Sequence, residues 1–318
     1  MTDVAPSPPG VQPQPRRWPG RELTAGGVTL HVRETPGPDG VPAVYVHGLA
    51  GSATNWTDLA GLLSSRAAGT AVDLPGFGQS RPLTVPDWTP SGHADALLCF
   101  LAGRGQRVHL LGNSLGGLVA VAVAARRPEL VETLTLVSPA MPDRRPDPRR
   151  ILDKRLLLAT VPGRFGRRAR AELRAMTANE RAAHVIALCF GDPSIVPEHR
   201  LSDLAREIEE RGSLAWAREA HYQTGRLLLA SWVVGPSPWP LAARVQAPTL
   251  VLWGDRDRLV SPGLARRTAA VTRGRLQMLP GVGHVGQIEA PAAVAAAVTR
   301  MWDDVAAGRW EEPARTTR

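Results

Sequence analysis

The sequence predicts an α/β fold in which a mostly parallel central β-sheet, flanked by helices, is interrupted by an all-helical insert. Two observations carry this prediction. Short apolar runs that end in glycine-bearing loops recur along the chain and alternate with helical stretches, which is typical of a parallel sheet buried on both faces. The pattern stops between about residues 141 and 240, where amphipathic helices are predicted instead, and then resumes.

The strands are predicted from two kinds of pattern. Alternation of apolar and polar residues over Val28–Val32 indicates a half-buried strand. Continuous apolar runs predict the buried strands, which are Ala43–Val46, Thr70–Val72, Val108–Leu111, Leu134–Val137, Thr249–Trp253 and Leu276–Leu279.

Changes in composition mark the boundaries between segments. Residues 1–20 hold six prolines and predict a disordered leader, and residues 309–318 predict a flexible tail. Pro-rich stretches at 141–148 and 235–240 enclose the insert, so the core is expected to comprise 21–140 and 241–308. Within the insert, the predicted amphipathic helices are Arg170–Met176, Glu180–Leu188, Leu201–Arg211 and Leu214–Trp232.

Composition excludes several classes of function. The formal net charge is +9, but the basic residues are scattered and all except Lys154 are arginine, so no nucleic-acid partner is expected. No apolar stretch approaches the roughly 20 residues that span a bilayer, and the N-terminus lacks a signal-peptide pattern. Cys99 and Cys189 both lie in apolar runs, which predicts buried, unpaired thiols and a cytoplasmic location.

The segment Gly112–Gly117 has the context of a nucleophile elbow. It follows the strand Val108–Leu111 directly and precedes Leu118–Arg126, a run that predicts a helix. Such an elbow holds a serine on a sharp strand-to-helix turn, and small flanking residues keep the turn free of collisions. Ser114 is therefore the predicted nucleophile.

The partners of a catalytic serine follow in the order used on this kind of sheet, acid and then histidine. Asp255 and Asp257 both come directly after the strand Thr249–Trp253, and spacing alone leaves the choice between them open. His284 follows the last strand in a glycine-flanked loop. We therefore expect it to be the general base.

The first long strand also opens into a glycine loop, which runs from His47 to Ser52. A loop in this position directs a backbone N–H at a substrate oxygen, and the residue after the nucleophile supplies a second N–H. Leu49 and Leu115 are therefore the predicted oxyanion-hole donors.

Taken together, these blocks resemble the α/β-hydrolase family. The resemblance rests on the His47–Ser52 loop, on Asp73–Ser80, on Gly112–Gly117, on Trp253–Asp257, and on Gly283-His284 with Glu289-Ala290-Pro291. It implies that the insert is the family's cap, that Asp73–Ser80 is a structural loop, and that Asp257 is the triad acid. By the same analogy, Ser114 excludes the aspartate-nucleophile dehalogenases and epoxide hydrolases.

Three functions are compatible with these residues. A carboxylic-ester hydrolase with an acyl-enzyme intermediate is favoured, and it would act on a small, apolar ester or acyl compound without a cofactor or metal. A cofactor-free carbon–carbon hydrolase of meta-cleavage diketones and a non-catalytic ligand-binding protein are the alternatives. The residues predicted to line the substrate pocket are His47, Gly48, Asn113, Trp216, Tyr222 and Trp232.

Overall fold

The computed structural model of the chain describes residues 17–143, 158, 163–196 and 198–311. The leader as far as residue 16, most of the predicted linker at 141–148, and residues 312–318 lie outside this described part.

A single sheet forms the centre of the molecule. The described residues contribute eight strands to it: β1 (Gly20–Ala25), β2 (Val28–Thr35), β3 (Ala43–Val46), β4 (Gly69–Val72), β5 (Val108–Asn113), β6 (Val131–Val137), β7 (Thr249–Gly254) and β8 (Arg275–Leu279). Their order across the sheet is β1-β2-β4-β3-β5-β6-β7-β8, and every pairing from β4 onwards is parallel. The predicted fold class is therefore confirmed.

The helices of the described part follow the strands along the chain. They are α1 (Thr57–Leu63), α2 (Pro90–Arg104), α3 (Leu115–Arg126), α4 (Arg164–Ala175), α5 (Ala178–Cys189), α6 (Glu198–Gly212), α7 (Ala217–Val233), α8 (Trp239–Ala242), α9 (Ala265–Thr272), α10 (Gly286–Glu289) and α11 (Pro291–Ala306). Among them, none has both the length and the apolar character that crossing a bilayer requires.

Apolar side chains cover both faces of the sheet. Residues of β7 show the division, because Val251 packs in one core cluster while its neighbours Leu250 and Leu252 pack in the other. The first cluster includes α2, α3, α8 and α9, and the second includes α1 and α11. Burial on both faces explains why these strands are apolar throughout.

From residue 163 onwards, the described chain between β6 and β7 forms helices joined by short turns and contains no strand. Helices α4 to α7 lie there, close to the four helices predicted from amphipathic spacing. Ala178 and Ala182 of α5 pack on Ala205 of α6, which gives the insert a small core of its own.

Both ends of the described chain pack against the core. Trp18 donates its indole N–H to the carbonyl of Thr57 at 2.9 Å, and its own carbonyl accepts from the Arg33 guanidinium. At the other end, the Arg275 guanidinium lies 4.0 Å from the centre of the Trp310 ring. Residues 17–19 and 309–311 thus contact the core although the sequence placed them in the leader and the tail.

The prediction of two buried thiols is wrong for Cys99. Its side chain is exposed on α2, although Leu98 and Phe100 on either side are buried. A helix turns successive residues to different faces, so an apolar neighbourhood in sequence does not ensure burial. Cys189 is half-buried at the end of α5, and burial raises the pKa of its thiol to about 12.

Candidate active site

Ser114 occupies the turn between β5 and α3 in a strained backbone conformation. Its φ of 53° and ψ of −118° lie outside the regions that residues with a side chain normally adopt. Its N–H donates to the carbonyl of Val137 at 3.1 Å, and its carbonyl accepts from the N–H of Ala140 at 2.9 Å. The backbone on both sides thus holds the strained turn, and the serine stays partly exposed at the N-terminus of a twelve-residue helix.

The flanking glycines allow the turn to approach its neighbours. A Cβ on Gly112 would lie 2.4 Å from the carbonyl oxygen of Gly116. A Cβ on Gly116 would lie 2.2 Å from the carbonyl oxygen of Val46 in β3. Both distances are far shorter than van der Waals contact, so the elbow requires glycine at these positions.

His284 and Asp257 form a buried pair. The Nδ1 of His284 lies 2.8 Å from Oδ2 of Asp257, and the two residues are 4% and 1% exposed. Oδ1 of Asp257 accepts the backbone N–H groups of Leu259 and Val260 at 2.8 and 2.9 Å. The carboxylate is thus oriented from both sides, and a proton on Nδ1 leaves Nε2 of His284 as an acceptor.

Asp255 has a different environment. Its side chain is exposed, and Oδ1 accepts the N–H of Gly281 at 2.8 Å, which connects two turns at the surface. Of the two candidate acids, the structure places Asp257 next to His284 and leaves Asp255 in a turn-stabilising position.

The backbone of His284 is anchored from two directions. Its N–H donates to the carbonyl of Cys189 at 2.6 Å, at the end of α5. Its carbonyl accepts from Nδ2 of Asn113 at 3.0 Å, and the same amide donates to Val137 at 3.0 Å. The residue before the proposed nucleophile therefore connects the elbow to the histidine loop.

Glu289 stabilises the same loop. One carboxylate oxygen accepts the N–H of Gly283 at 2.6 Å, and the other accepts the N–H of Gly191 in the insert at 2.7 Å. Burial raises the pKa of this carboxyl above its usual value, although the backbone N–H groups oppose the shift. In the sequence, Glu289 stands out only as part of the family resemblance.

The loop after β3 runs beside the elbow. A Cβ on Gly48 would lie 3.0 Å from Cβ of Ser114. His47 lies beneath the loop with both ring nitrogens bonded: Nε2 accepts the N–H of Leu74 at 3.0 Å, so Nδ1 carries the proton donated to Gly48 O at 2.7 Å. Burial lowers the pKa of His47, which favours this neutral form.

Two backbone donors lie along this loop and the elbow. Leu115 is the first residue of α3, where a helix leaves its N–H groups without internal acceptors. Within the part of the chain that the structure describes, neither Leu115 nor Leu49 donates its N–H to another protein group.

The predicted pocket residues fall into different environments. His47 and Asn113 are interior side chains: both ring nitrogens of His47 and Nδ2 of Asn113 bond to the backbone, and the pocket role of these two residues stays a prediction. Gly48 does lie against Ser114.

The three predicted aromatic pocket residues belong to the insert. The Arg81 guanidinium lies 5.7 Å from the centre of the Trp216 ring, and Arg170 lies 4.7 Å from that of Tyr222. Trp232 packs against the larger core cluster. No ring contact or hydrogen bond among the described residues joins these side chains to Ser114, and their pocket role stays a prediction.

The arrangement suits acyl transfer. It combines a partly exposed serine, a histidine held by a carboxylate, and backbone N–H groups that are available to an oxyanion. No group of three or more potential metal-binding side chains occurs in the described residues.

Comparisons with known proteins show what the chain is similar to. Residues 43–297 match the model of the alpha/beta hydrolase family. The chain is 24% identical over 270 residues to lipase 1 of Psychrobacter immobilis, covering 84% of this chain and 78% of the lipase. It superimposes with a TM-score of 0.73 on 2-hydroxy-6-oxo-6-phenylhexa-2,4-dienoate hydrolase from Rhodococcus sp. strain RHA1, at 19% identity, covering 90% and 100% of the two chains.

A third relative is longer than this chain. It is the dihydrolipoyllysine-residue acetyltransferase component of the acetoin cleaving system of Pseudomonas putida, 28% identical over 277 residues that cover 85% of this chain. The chain spans 65% of that protein and 59% of its counterpart in Cupriavidus necator, which is less than two thirds of either.

Proposed function

The chain belongs to the alpha/beta hydrolase family, and from that membership we propose that it is a serine hydrolase that cleaves a carboxylic ester. The observation that carries the proposal is the 2.8 Å contact between His284 and Asp257 at the sheet edge where Ser114 occupies its strained turn. A histidine bonded in this way presents Nε2 as a base, which a hydroxyl nucleophile needs.

The reaction proceeds in two stages. Ser114 Oγ attacks the ester carbonyl while Nε2 of His284 takes its proton, and the imidazolium then protonates the departing alcohol. Water, deprotonated by His284, attacks the acyl-enzyme and releases the acid. Asp257 keeps the imidazole in the required tautomer and stabilises its charged form.

The negative charge that forms on the carbonyl oxygen is assigned to the N–H groups of Leu49 and Leu115. Both are free of protein acceptors in the described residues, and Leu115 also begins a helix whose dipole favours an anion. Removing one donor of this kind typically costs about 10²–10³ in turnover.

The helical insert is proposed to act as a cap that shapes an apolar pocket. Helix α7 lies over the loop, since a Cβ on Gly225 would be 3.5 Å from the side chain of Leu49. The likeness to a lipase also supports a small apolar ester as substrate. The identities of the acyl and alcohol groups, and the cytoplasmic location, stay predictions.

Two matched variants test the proposed acid. Asp257→Asn is expected to lower kcat for a short p-nitrophenyl ester by roughly 10³–10⁴, because the imidazole loses its orienting partner. Asp255→Asn, in the same loop, is expected to change kcat by less than about threefold. Mass spectrometry should place a fluorophosphonate label on Ser114, and Ser114→Ala should abolish both labelling and turnover.

The outcomes separate the candidate functions. Absence of both ester turnover and labelling would overturn the proposal. Bleaching of a coloured meta-cleavage diketone with poor ester turnover would replace it by carbon–carbon hydrolysis, whereas ligand binding without any turnover would indicate a non-catalytic member of the family.

A further inference from the structure

A buried carboxylate of the insert contacts the loop that runs from His47 to Thr54, which we call loop 47–54. Glu207 of α6 is 9% exposed. One of its oxygens accepts the hydroxyl of Ser52, and the other accepts the hydroxyl of Thr54 at 2.7 Å. These are charge-assisted hydrogen bonds between segments more than 150 residues apart, and burial makes them strong.

A second charged residue of α6 contacts the same loop one turn later. The guanidinium of Arg211 donates from Nη1 to the carbonyl of Ala50 and, at 3.3 Å, to that of Gly51. Ala50 has a φ of 61°, in the left-handed region that residues with a side chain rarely adopt. Arg211 thus holds the carbonyl of the one strained residue in loop 47–54.

The strained residue directly follows Leu49, whose N–H is a proposed oxyanion donor. The core restrains the loop at its two ends, through the bond from Leu74 to His47 and through Asp73, which accepts the N–H of Ala53 at 2.6 Å. Between these ends, the carbonyls of Ala50 and Gly51 accept hydrogen bonds from one described side chain of the insert, that of Arg211. Within the loop, the N–H of Gly51 donates to the carbonyl of Gly48 at 3.0 Å, which closes a turn around Leu49 and Ala50. Arg211 holds the carbonyls on the outer side of this turn from the insert.

We propose that Glu207 and Arg211 are positioning residues through which the insert completes the oxyanion hole. By fixing loop 47–54, they orient the Leu49 N–H toward the carbonyl that Ser114 attacks. This inference rests on the proposed function for its catalytic consequence, whereas the ordering of the loop is a structural statement that can be measured by itself.

The chain offers a matched control on the same helix. Arg200 of α6 forms an ion pair with Asp58 of α1, so it also joins the insert to the core, but it has no described contact with loop 47–54. Arg200→Met should remove a contact between α6 and the core that lies away from loop 47–54. Arg211→Met and Glu207→Ala should loosen the loop in particular.

The first measurement is hydrogen–deuterium exchange, which requires no substrate. Arg211→Met and Glu207→Ala are expected to raise exchange in residues 50–54 by about tenfold or more, while Arg200→Met leaves it close to that of the wild type. Arg211→Lys, which keeps the charge and one donor direction, should restore part of the protection. Unchanged exchange in both loop variants, or an equal rise in Arg200→Met, overturns the proposal whether or not the protein hydrolyses esters.

The second measurement is the division between kcat and KM. The loop variants are expected to lower kcat by about 10- to 100-fold with KM changed by less than about threefold, because the oxyanion contact forms in the transition state. Binding of a trifluoromethyl ketone, which forms an oxyanion on Ser114, should weaken in parallel with kcat/KM. A raised KM with unchanged kcat contradicts the inference, and a wild type without ester turnover contradicts the proposed function and leaves the exchange result to decide.

Discussion

The protein is expected to lose stability between pH 7 and pH 5. Replacing His93 by glutamine should make this loss in the free energy of unfolding about 2 kcal/mol smaller. His93 lies on α2 and is 1% exposed, and its Nε2 is 3.1 Å from Oγ1 of Thr224 on α7. Burial and, to a smaller extent, the nearby His47 lower its pKa to about 4 against the opposing effect of Asp87.

The magnitude follows from the difference between the folded and unfolded states. An unfolded histidine has a pKa of about 6.5, so the unfolded chain binds this proton first as the pH falls. Stability from neutral His93 is present above pH 6.5 and is lost as the pH falls toward the folded value of about 4. At pH 5 the loss covers about 1.5 pH units at 1.36 kcal/mol each, or about 2 kcal/mol.

The assay is urea unfolding followed by tryptophan fluorescence at pH 7 and pH 5, for the wild type and for His93→Gln. At pH 7 the variant should be less stable by about 1 kcal/mol, because its bond to Thr224 is altered. Its further loss on going to pH 5 should be about 2 kcal/mol smaller than that of the wild type. Acid sensitivity from His109, whose pKa burial lowers to about 4, should remain in both proteins.

A change of less than about 0.5 kcal/mol in this acid-dependent loss would refute the reasoning. It would mean that His93 is hydrated or charged in the folded protein, and that the packing of α7 on α2 differs from the structure.

Two further predictions concern packing and thiol chemistry. Gly116→Ala should destabilise the fold by at least about 1–3 kcal/mol in urea unfolding, because its Cβ would lie 2.2 Å from Val46 O. Gly212→Ala, a control with open space around the added Cβ, should be neutral or slightly stabilising. Equal stabilities of the two variants would contradict the close approach at the elbow. With a thiol reagent such as dithionitrobenzoate, the exposed Cys99 should react quickly and Cys189, with its pKa raised to about 12, only after unfolding. Fast reaction that persists in Cys99→Ser would show that Cys189 is accessible.

The sheet and the elbow were predictable because their signals are local. A strand buried on both faces must be apolar throughout, and a sharp strand-to-helix turn needs glycine at close approaches, so Val108–Leu111 and Gly112–Gly117 carry their structure in their own composition. Strand β1 gave no such signal, because most of its residues are exposed at the sheet edge and need no apolar pattern.

The fold class, Ser114 as the candidate nucleophile and His284 as its candidate base could all be predicted from the amino-acid order, because the carboxyl ends of parallel strands meet at one edge of the sheet. Spacing left Asp255 and Asp257 open as the acid, and the family resemblance favoured Asp257. The packed structure shows the physical difference, because Asp257 turns inward to His284 whereas Asp255 stays in a surface turn. The contacts of Glu207 with loop 47–54 have no sequence signal. They depend on how a distant helix packs on the core, and hydrophobic periodicity records which face of a helix is buried but not what that face meets.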